Sequence, residues 1–305
     1  MSKYILHFFK FLKSMILRPK KTLIWIREDL KKDKLGKKEK SSHRVVWCAG
    51  LPKSGTTVIE QIFDNLPYVR QNVSFNRLFF TGNLKNDHSI SEEMFKYNPS
   101  NKYTFLKTHT EYSIYHENIY RKFNLRVIVS LRDLRDMLIS RYFHILADEN
   151  HWLHKKIKDL NFTEGFILSI KLKFYIGEKE KETALNYYYN WINDWLRISK
   201  NNEFLVLWFE DFKNNPTKYV NRILDYVDFK NYKSENIIEN IKKTEENQKS
   251  LIKGLSNYGR LKSTFRKGEV GQWKNLFNNE IENYFYENIP GPFAQIDYKN
   301  NLDIL

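Results

Sequence analysis

A glycine-containing loop, GLPKSGTT at residues 50–57, constrains the fold of this chain more than any other stretch of its sequence. It follows the apolar run VVWC, which is typical of a buried strand, and it precedes TTVIEQIFDNL, which has the spacing of an amphipathic helix. The residues predicted to face inward on that helix are Val58, Ile62, Phe63 and Leu66. A strand, a glycine loop and a helix in this order direct backbone N–H groups at an anion, so the stretch predicts a phosphate-binding loop.

The loop differs from the common phosphate-loop pattern in the position of its lysine. That pattern has a lysine directly after the second glycine, whereas Thr56 and Thr57 follow Gly55 here and Lys53 lies inside the loop. Glycine and threonine also cap ordinary helices, which leaves a purely structural role open. Two glycines, an internal lysine and two threonines in one such loop favour anion binding.

Further apolar runs indicate strands at residues 103–109, 125–133 and 204–211, and helical spacing is evident at 134–146 and 187–199. Strands that alternate with helices predict an α/β fold. We expect a three-layer sandwich of the P-loop type, in which helices cover both faces of a central parallel sheet.

Basic or proton-accepting side chains stand at or just beyond the ends of these strands, namely Lys53, Lys107, His109 and Arg132. Ligands of such sheets bind at the carboxyl ends of the strands, so these groups predict an anionic ligand there. Lys107 and His109 are two residues apart on one strand and are expected to point to the same side. The other seven histidines lack this context.

The net charge of +15 is concentrated in an N-terminal arm, because residues 1–40 carry +9 and the remaining 265 residues only +6. This distribution argues against a general nucleic-acid-binding surface on the folded body. We expect an arm at residues 1–43 and one domain at residues 44–305. The arm predicts a basic amphipathic helix that is too often broken by lysine to span a bilayer, and no cleavable signal is evident. It either lies on an anionic membrane surface or packs on the domain.

The single cysteine, Cys48, excludes a disulfide within the chain. A reducing, cytoplasmic compartment is therefore permitted. Together with the arm, this predicts a cytoplasmic protein that associates peripherally with membranes if the arm binds lipid.

Four segments in consistent order resemble the sulfotransferases that use 3′-phosphoadenosine-5′-phosphosulfate (PAPS): LPKSGTT, LKTH, RDLRDMLISRYFH and FRKGEVGQWKNLF. The likeness extends from about residue 44 to residue 280. It implies transfer of a sulfuryl group from PAPS to a hydroxyl or amine acceptor, without a metal ion. The sequence departs from the family where Val58 replaces a tryptophan and Phe209 replaces a tyrosine, both of which contact adenine in the family.

The resemblance also implies roles for individual residues. Catalysis would fall to His109 as the base, to Lys107 beside the sulfuryl oxygens and to Lys53 at the departing oxygen. The 5′-phosphate would be held by the loop residues Lys53, Ser54, Gly55, Thr56 and Thr57. The 3′-phosphate would be held by Arg132, Ser140, Arg266, Lys267 and Gly268.

The acceptor and the oligomeric state are not specified by these motifs. A small molecule, a sugar or a lipid remains possible as the acceptor, and residues 70–100 and 145–185 are expected to form the loops and lid that face it. Two other functions stay open. One is a magnesium-dependent kinase of a small molecule, and the other is a non-catalytic basic module that binds membrane or nucleic acid.

Overall fold

The computed structural model describes residues 45–66, 69–71, 90, 92, 103–176, 179–229, 231–254 and 268–298. Its strands are β1 (Val45–Gly50), β2 (Val69–Gln71), β3 (Tyr103–Thr108), β4 (Arg126–Leu131), β5 (Lys173–Ile176), β6 (Lys179–Thr183) and β7 (Leu205–Trp208). Five of them form one parallel sheet in the order β2-β3-β1-β4-β7, and β5 and β6 form a separate antiparallel hairpin.

The helices of the described residues follow and connect these strands. They are α1 (Thr56–Asp64), α2 (Ile114–Lys122), α3 (Leu134–Ala147), α4 (His154–Ile157), α5 (Phe162–Lys171), α6 (Ala184–Ser199), α7 (Phe209–Asn214), α8 (Pro216–Tyr226), α9 (Ser234–Gly254), α10 (Trp273–Leu276) and α11 (Asn279–Asn288). A 3₁₀ turn at Phe293–Gln295 follows α11.

Both faces of the parallel sheet are buried, as the apolar strands predicted. Alternate residues of β1 enter two separate cores: Trp47 and Ala49 pack with residues of α3, α5 and α6, whereas Val46 and Cys48 pack with residues of α1, α8 and α9. Because successive side chains of a strand point to opposite faces, an uninterrupted apolar strand requires a helical layer on each side. The predicted α/β three-layer sandwich is confirmed.

Most predicted elements are found within one or two residues of their expected ends. The four residues predicted to face inward are buried, although Leu66 lies two residues beyond the end of α1. The strand predicted at 204–211 is too long, however, because β7 ends at Trp208, where its partner β4 ends at Leu131. Without a paired strand beyond that point, the next residues begin α7.

The prediction of loops and a lid at residues 145–185 is wrong for much of that range. α5 is capped by Asn161, whose side chain accepts a hydrogen bond from the Glu164 N–H at 3.0 Å. Its Phe166 and Ile170 are fully buried in the core below α3 and α6. The apolar residues Phe162, Phe166 and Ile170, spaced four apart, are the sequence signal that could have indicated this helix. Most of residues 70–100 lies outside the described residues.

The N-terminal arm also lies outside the described residues, so its predicted helix has no structural description here. The described part of the chain contains no helix that is both long and apolar enough to cross a membrane.

Candidate active site

A cavity of about 390 Å³ opens at the carboxyl edge of the parallel sheet, between the start of α1 and α3. Four of the residues predicted to meet at this edge line it, namely Lys53, Lys107, His109 and Arg132. Gly55, Thr56, Thr57, Ser140 and Gly268 also line it. The structure thus brings together nine residues that the sequence had singled out.

The glycine loop delivers the N-terminus of α1 to the cavity. Gly55 has φ 100° and ψ 5°, a left-handed conformation that favours glycine. A Cβ atom at Gly55 would also lie 2.8 Å from Cδ2 of Phe209, so a side chain there is excluded on two grounds. The first N–H groups of a helix have no partner within it, and Thr56 and Thr57, which open α1, line the cavity. This arrangement suits an anion.

Lys53 and Ser54 perform different tasks in the loop. Lys53 has φ 77°, a conformation that costs a non-glycine residue on the order of 1–3 kcal/mol and is concentrated at functional sites. Ser54 is fully buried, its N–H donates to the Leu51 carbonyl at 3.1 Å, and its hydroxyl donates to Ser130 Oγ at 3.3 Å. Ser54 therefore holds the loop against β4 with its own polar groups, while Lys53 lines the cavity.

A contact with the backbone orients His109. Its Nδ1 lies in hydrogen-bond contact with the carbonyl oxygen of Gly50, at the end of β1. A carbonyl oxygen only accepts, so Nδ1 carries the proton and Nε2 is the basic nitrogen of the neutral ring. β3 thus presents a histidine of defined tautomer to the cavity.

Lys107 points to the same side of β3 as His109 and forms an ion pair with Glu60 of α1. The lysine lines the cavity, whereas the described residues that line it do not include Glu60. The carboxylate therefore contacts the ammonium group from the helix side.

Arg132 lines the cavity as a buried cation and is 5% exposed. Its guanidinium donates to the Glu269 carbonyl at 2.6 Å, and its Cζ lies 4.8 Å from the ring centroid of Phe209. Its Nε is buried and has no hydrogen-bond partner among the described residues. A buried donor of this kind normally has an acceptor, so an anionic ligand in the cavity suits Arg132.

A carboxylate that the sequence reading did not single out joins the C-terminal segment to α3. Asp136 is fully buried, and its two oxygens accept hydrogen bonds from the N–H groups of Gly271 at 2.6 Å and Trp273 at 3.2 Å. Arg132 lies 3.6 Å from the same carboxylate. Burial raises the pKa of Asp136, although Arg132 and the two amides oppose that shift. Asp136 thus anchors the segment that carries Gly268 to the cavity.

A sequence model described as the sulfotransferase domain matches residues 43–291 of the chain. The chain belongs to the sulfotransferase family.

Individual relatives extend this assignment over most of the chain. Sulfotransferase 1E1 of Bos taurus is 26% identical over 249 residues, which cover 77% of this chain and 78% of the relative. A flavonol sulfotransferase-like protein of Flaveria bidentis is 28% identical over 205 residues, which cover 63% and 61% of the two chains. The structure of mouse sulfotransferase SULT7A1 complexed with PAP has a TM-score of 0.54 at 16% identity and covers 84% of this chain and 87% of the other. That structural likeness shows the same fold.

Two predicted site residues of the sulfotransferase domain, Arg266 and Lys267, lie outside the described residues. Gly268, which directly follows them, has φ 62° and lines the cavity. The FRKGEVGQWKNLF segment is therefore described only from its glycine onward.

His144 is a second histidine at the cavity, and the sequence reading did not single it out. It lies one helical turn after Ser140 on α3 and lines the same cavity. Burial, and then the positive charge of Lys53, lowers the pKa of His144, which favours its neutral form. Its four-residue spacing from Ser140, on one helical face, is the sequence signal that could have indicated this position. Gln61, Glu245 and Gln272 also line the cavity without having been singled out.

Replacing Asp136 with alanine is expected to destabilise the sulfotransferase domain by on the order of 3 kcal/mol, because Arg132 and two buried N–H groups lose their shared acceptor. Urea denaturation monitored by circular dichroism measures this change. Asp159→Asn is the matched control, since its side chain is 81% exposed and should change stability by less than about 0.5 kcal/mol. Equal midpoints for Asp136→Ala and the control would contradict the anchoring role.

Proposed function

We propose that this sulfotransferase transfers a sulfuryl group from PAPS to the hydroxyl or amine of an acceptor by in-line displacement. The observation that carries the proposal is that Lys53, Lys107 and His109 line one cavity beside the N-terminus of α1. That set combines a proton acceptor, two cations and an anion-binding helix terminus, which are the groups that such a transfer needs. PAP in the structure of the mouse relative supports PAPS as the donor.

Each side chain has one task in the proposed reaction. Nε2 of His109 takes the proton of the acceptor hydroxyl as the acceptor oxygen bonds to sulfur. The bond between sulfur and the oxygen of the 5′-phosphate breaks, and that oxygen leaves with its electron pair as part of 3′-phosphoadenosine-5′-phosphate (PAP). Lys53 stabilises the negative charge on the departing oxygen, and Lys107 binds the oxygens of the sulfuryl group.

Two groups of residues would hold the phosphates of the nucleotide. The N–H groups and hydroxyls of Thr56 and Thr57 suit the 5′-phosphate, because they stand at the start of α1. Arg132 and Ser140 suit the 3′-phosphate, and the buried Nε of Arg132 offers it a donor. We assign Arg266, Lys267 and Gly268 to the same phosphate on the strength of the family motif.

The other partners are part of the proposal. No metal ion is assigned a role, and the acceptor is a small molecule, a sugar or a lipid that carries a hydroxyl or amine. The relatives include a flavonol sulfotransferase-like protein and a retinol dehydratase solved with androsterone, which favours small hydroxyl compounds. A screen of phenols, alcohols, sugars and lipids with radiolabelled donor tests the acceptor class. For the arm at residues 1–43 we propose docking on an anionic membrane surface, with packing on the domain as the alternative.

Isothermal titration calorimetry of the full chain tests the donor. PAP is expected to bind far more tightly than adenosine 5′-monophosphate, because only PAP offers a 3′-phosphate to Arg132. Arg132→Gln should weaken PAP binding by about 2–5 kcal/mol and leave the monophosphate nearly unchanged. Arg121→Gln is the control, since that arginine is 57% exposed on α2 and is not among the described residues that line the cavity.

Three results would contradict the donor assignment. One is equal affinity for PAP and the monophosphate, and another is equal loss of both in Arg132→Gln. The third is tighter binding of ATP with Mg²⁺ than of PAP, which would return the loop to the kinase interpretation. A DNA duplex in the same titration tests the non-catalytic interpretation, and binding of DNA alone would support it.

A further inference from the structure

The ion pair between Glu60 and Lys107 is built into the framework of the fold. Phe63 of α1 stacks on Phe105 of β3, with ring centroids 4.4 Å apart and an interplanar angle of 17°. Phe63 lies one turn after Glu60, and Phe105 lies two residues before Lys107 on the same face of the strand. The buried aromatic pair therefore fixes the distance at which the carboxylate and the ammonium group meet.

The register between β1 and β3 also places the ion pair next to a buried residue. Lys107 lies directly opposite Cys48 of β1, which is fully buried. Burial raises the pKa of the Cys48 thiol to about 12, Lys107 lowers it and Glu60 raises it. Both charges therefore lie near the same buried point of the sheet, on the side covered by α1.

One contact with Glu60 leaves Lys107 able to serve a ligand. A lysine ammonium has three donors, so an N–H that donates to Glu60 still leaves two for the cavity that Lys107 lines. The carboxylate meanwhile restricts a long and flexible side chain. Side chains that are fixed before reaction stabilise transition-state charge better than mobile ones.

We propose that Glu60 is a positioning residue that holds the Lys107 ammonium group for the transferred sulfuryl group. This inference rests on the proposed function. The side chain of Glu60 acts through Lys107 and lies behind it relative to the cavity. The negative charge of Glu60 also opposes the binding of an anionic nucleotide. Glu60 therefore positions Lys107 but lowers the affinity of the site for the nucleotide.

Glu60→Gln separates the positioning of Lys107 from the repulsion of the nucleotide, because the loss of positioning lowers turnover and the loss of repulsion raises affinity. Turnover is expected to fall roughly 10- to 100-fold, as the released ammonium group is no longer held in reacting geometry. Affinity for PAP is expected to rise about fivefold, because one negative charge beside the anion site is removed. Steady-state kinetics with a compound from the acceptor screen and calorimetry with PAP measure the two quantities. Damage to the fold would lower both turnover and PAP affinity.

Three further variants control the comparison. Asp64→Asn removes the same charge from the exposed end of α1 and should change turnover and PAP affinity less than about twofold. Glu60→Asp keeps the charge but shortens the side chain, and it should retain the wild-type affinity for PAP while losing turnover. Adding Glu60→Gln to Lys107→Met should lower turnover no further, because a positioning residue has no effect once its target is absent.

The pair can also be examined without turnover. Competitive labelling of lysine amines with acetic anhydride, read by peptide mass spectrometry, should modify Lys107 faster in Glu60→Gln than in the wild-type chain. Equal labelling would overturn the inference even if no acceptor has been found. A parallel fall of turnover and PAP affinity in Glu60→Gln, or a further loss in the Lys107→Met background, would overturn it as well. Failure of the wild-type chain to bind PAP would instead count against the proposed function.

Discussion

Replacing His109 with alanine is expected to lower turnover about 100- to 10,000-fold, the range for loss of a general base, while PAP affinity changes less than about threefold. The different effects on turnover and on PAP affinity follow from the geometry, because Nδ1 of His109 contacts the Gly50 carbonyl and Nε2 is the basic nitrogen of the neutral ring. The base would contact the acceptor and not the nucleotide. Turnover is measured at saturating donor, and affinity is measured by calorimetry.

His109→Asn is the matched control for this prediction. Asparagine can still donate a hydrogen bond to the Gly50 carbonyl, so it preserves the packing at the end of β1 without supplying a base. We expect His109→Asn to match the wild-type thermal midpoint and to be as inactive as His109→Ala. Substantial turnover in either variant would show that another group takes the proton. His144, the second imidazole of the cavity, would be the first candidate.

The parts of this site that could be predicted from sequence are those that local chain geometry determines. The loop at residues 50–57 was recognisable because strand, glycines and helix are adjacent in the sequence. Lys107 and His109 were expected on one side because strand residues two apart share a face. The burial of β1 on both faces followed from its uninterrupted apolar character, which requires a helical layer on each side.

The contacts that hold these residues in place could not be predicted, because they join positions far apart in the chain. Gly50 and His109 are 59 residues apart, and Asp136 and Gly271 are 135 apart. Nothing in a single sequence indicates which carboxylate meets which amide at such distances. The same reason explains why Glu60, an ordinary charged helix residue by pattern, was not connected with Lys107.

The strand predicted at residues 204–211 was too long for a different physical reason. Its residues are apolar through Phe209, so the sequence pattern extended the strand toward Asp211. β7 pairs with β4 at one edge of the described sheet, and that pairing stops at Leu131 and Trp208. The end of the strand was thus set by its partner. Phe209 then lies against Gly55 and Arg132 at the cavity instead of continuing the sheet.

The lysine inside the glycine loop is expected to matter more for the transition state than for binding. Lys53 is held in a left-handed conformation at the cavity, three residues before the position that carries the lysine of a nucleoside triphosphate-binding loop. In the proposed reaction it stabilises charge that develops only as the bridging oxygen departs. Lys53→Ala should therefore lower turnover about 100- to 1,000-fold and weaken PAP binding less than about tenfold.

Two variants distinguish a positioned ammonium group from a general positive charge in the loop. Lys53→Arg keeps the charge, but a planar guanidinium is larger and directs its donors differently, so turnover should stay low. Lys53→Ala combined with Thr56→Lys moves the ammonium group to the usual P-loop position and should not restore transfer. A chelator should leave the wild-type rate nearly unchanged, since the proposed reaction assigns the charge on the departing oxygen to Lys53. Full activity in Lys53→Ala, or a strict need for Mg²⁺, would show that the displaced lysine is not what neutralises that oxygen.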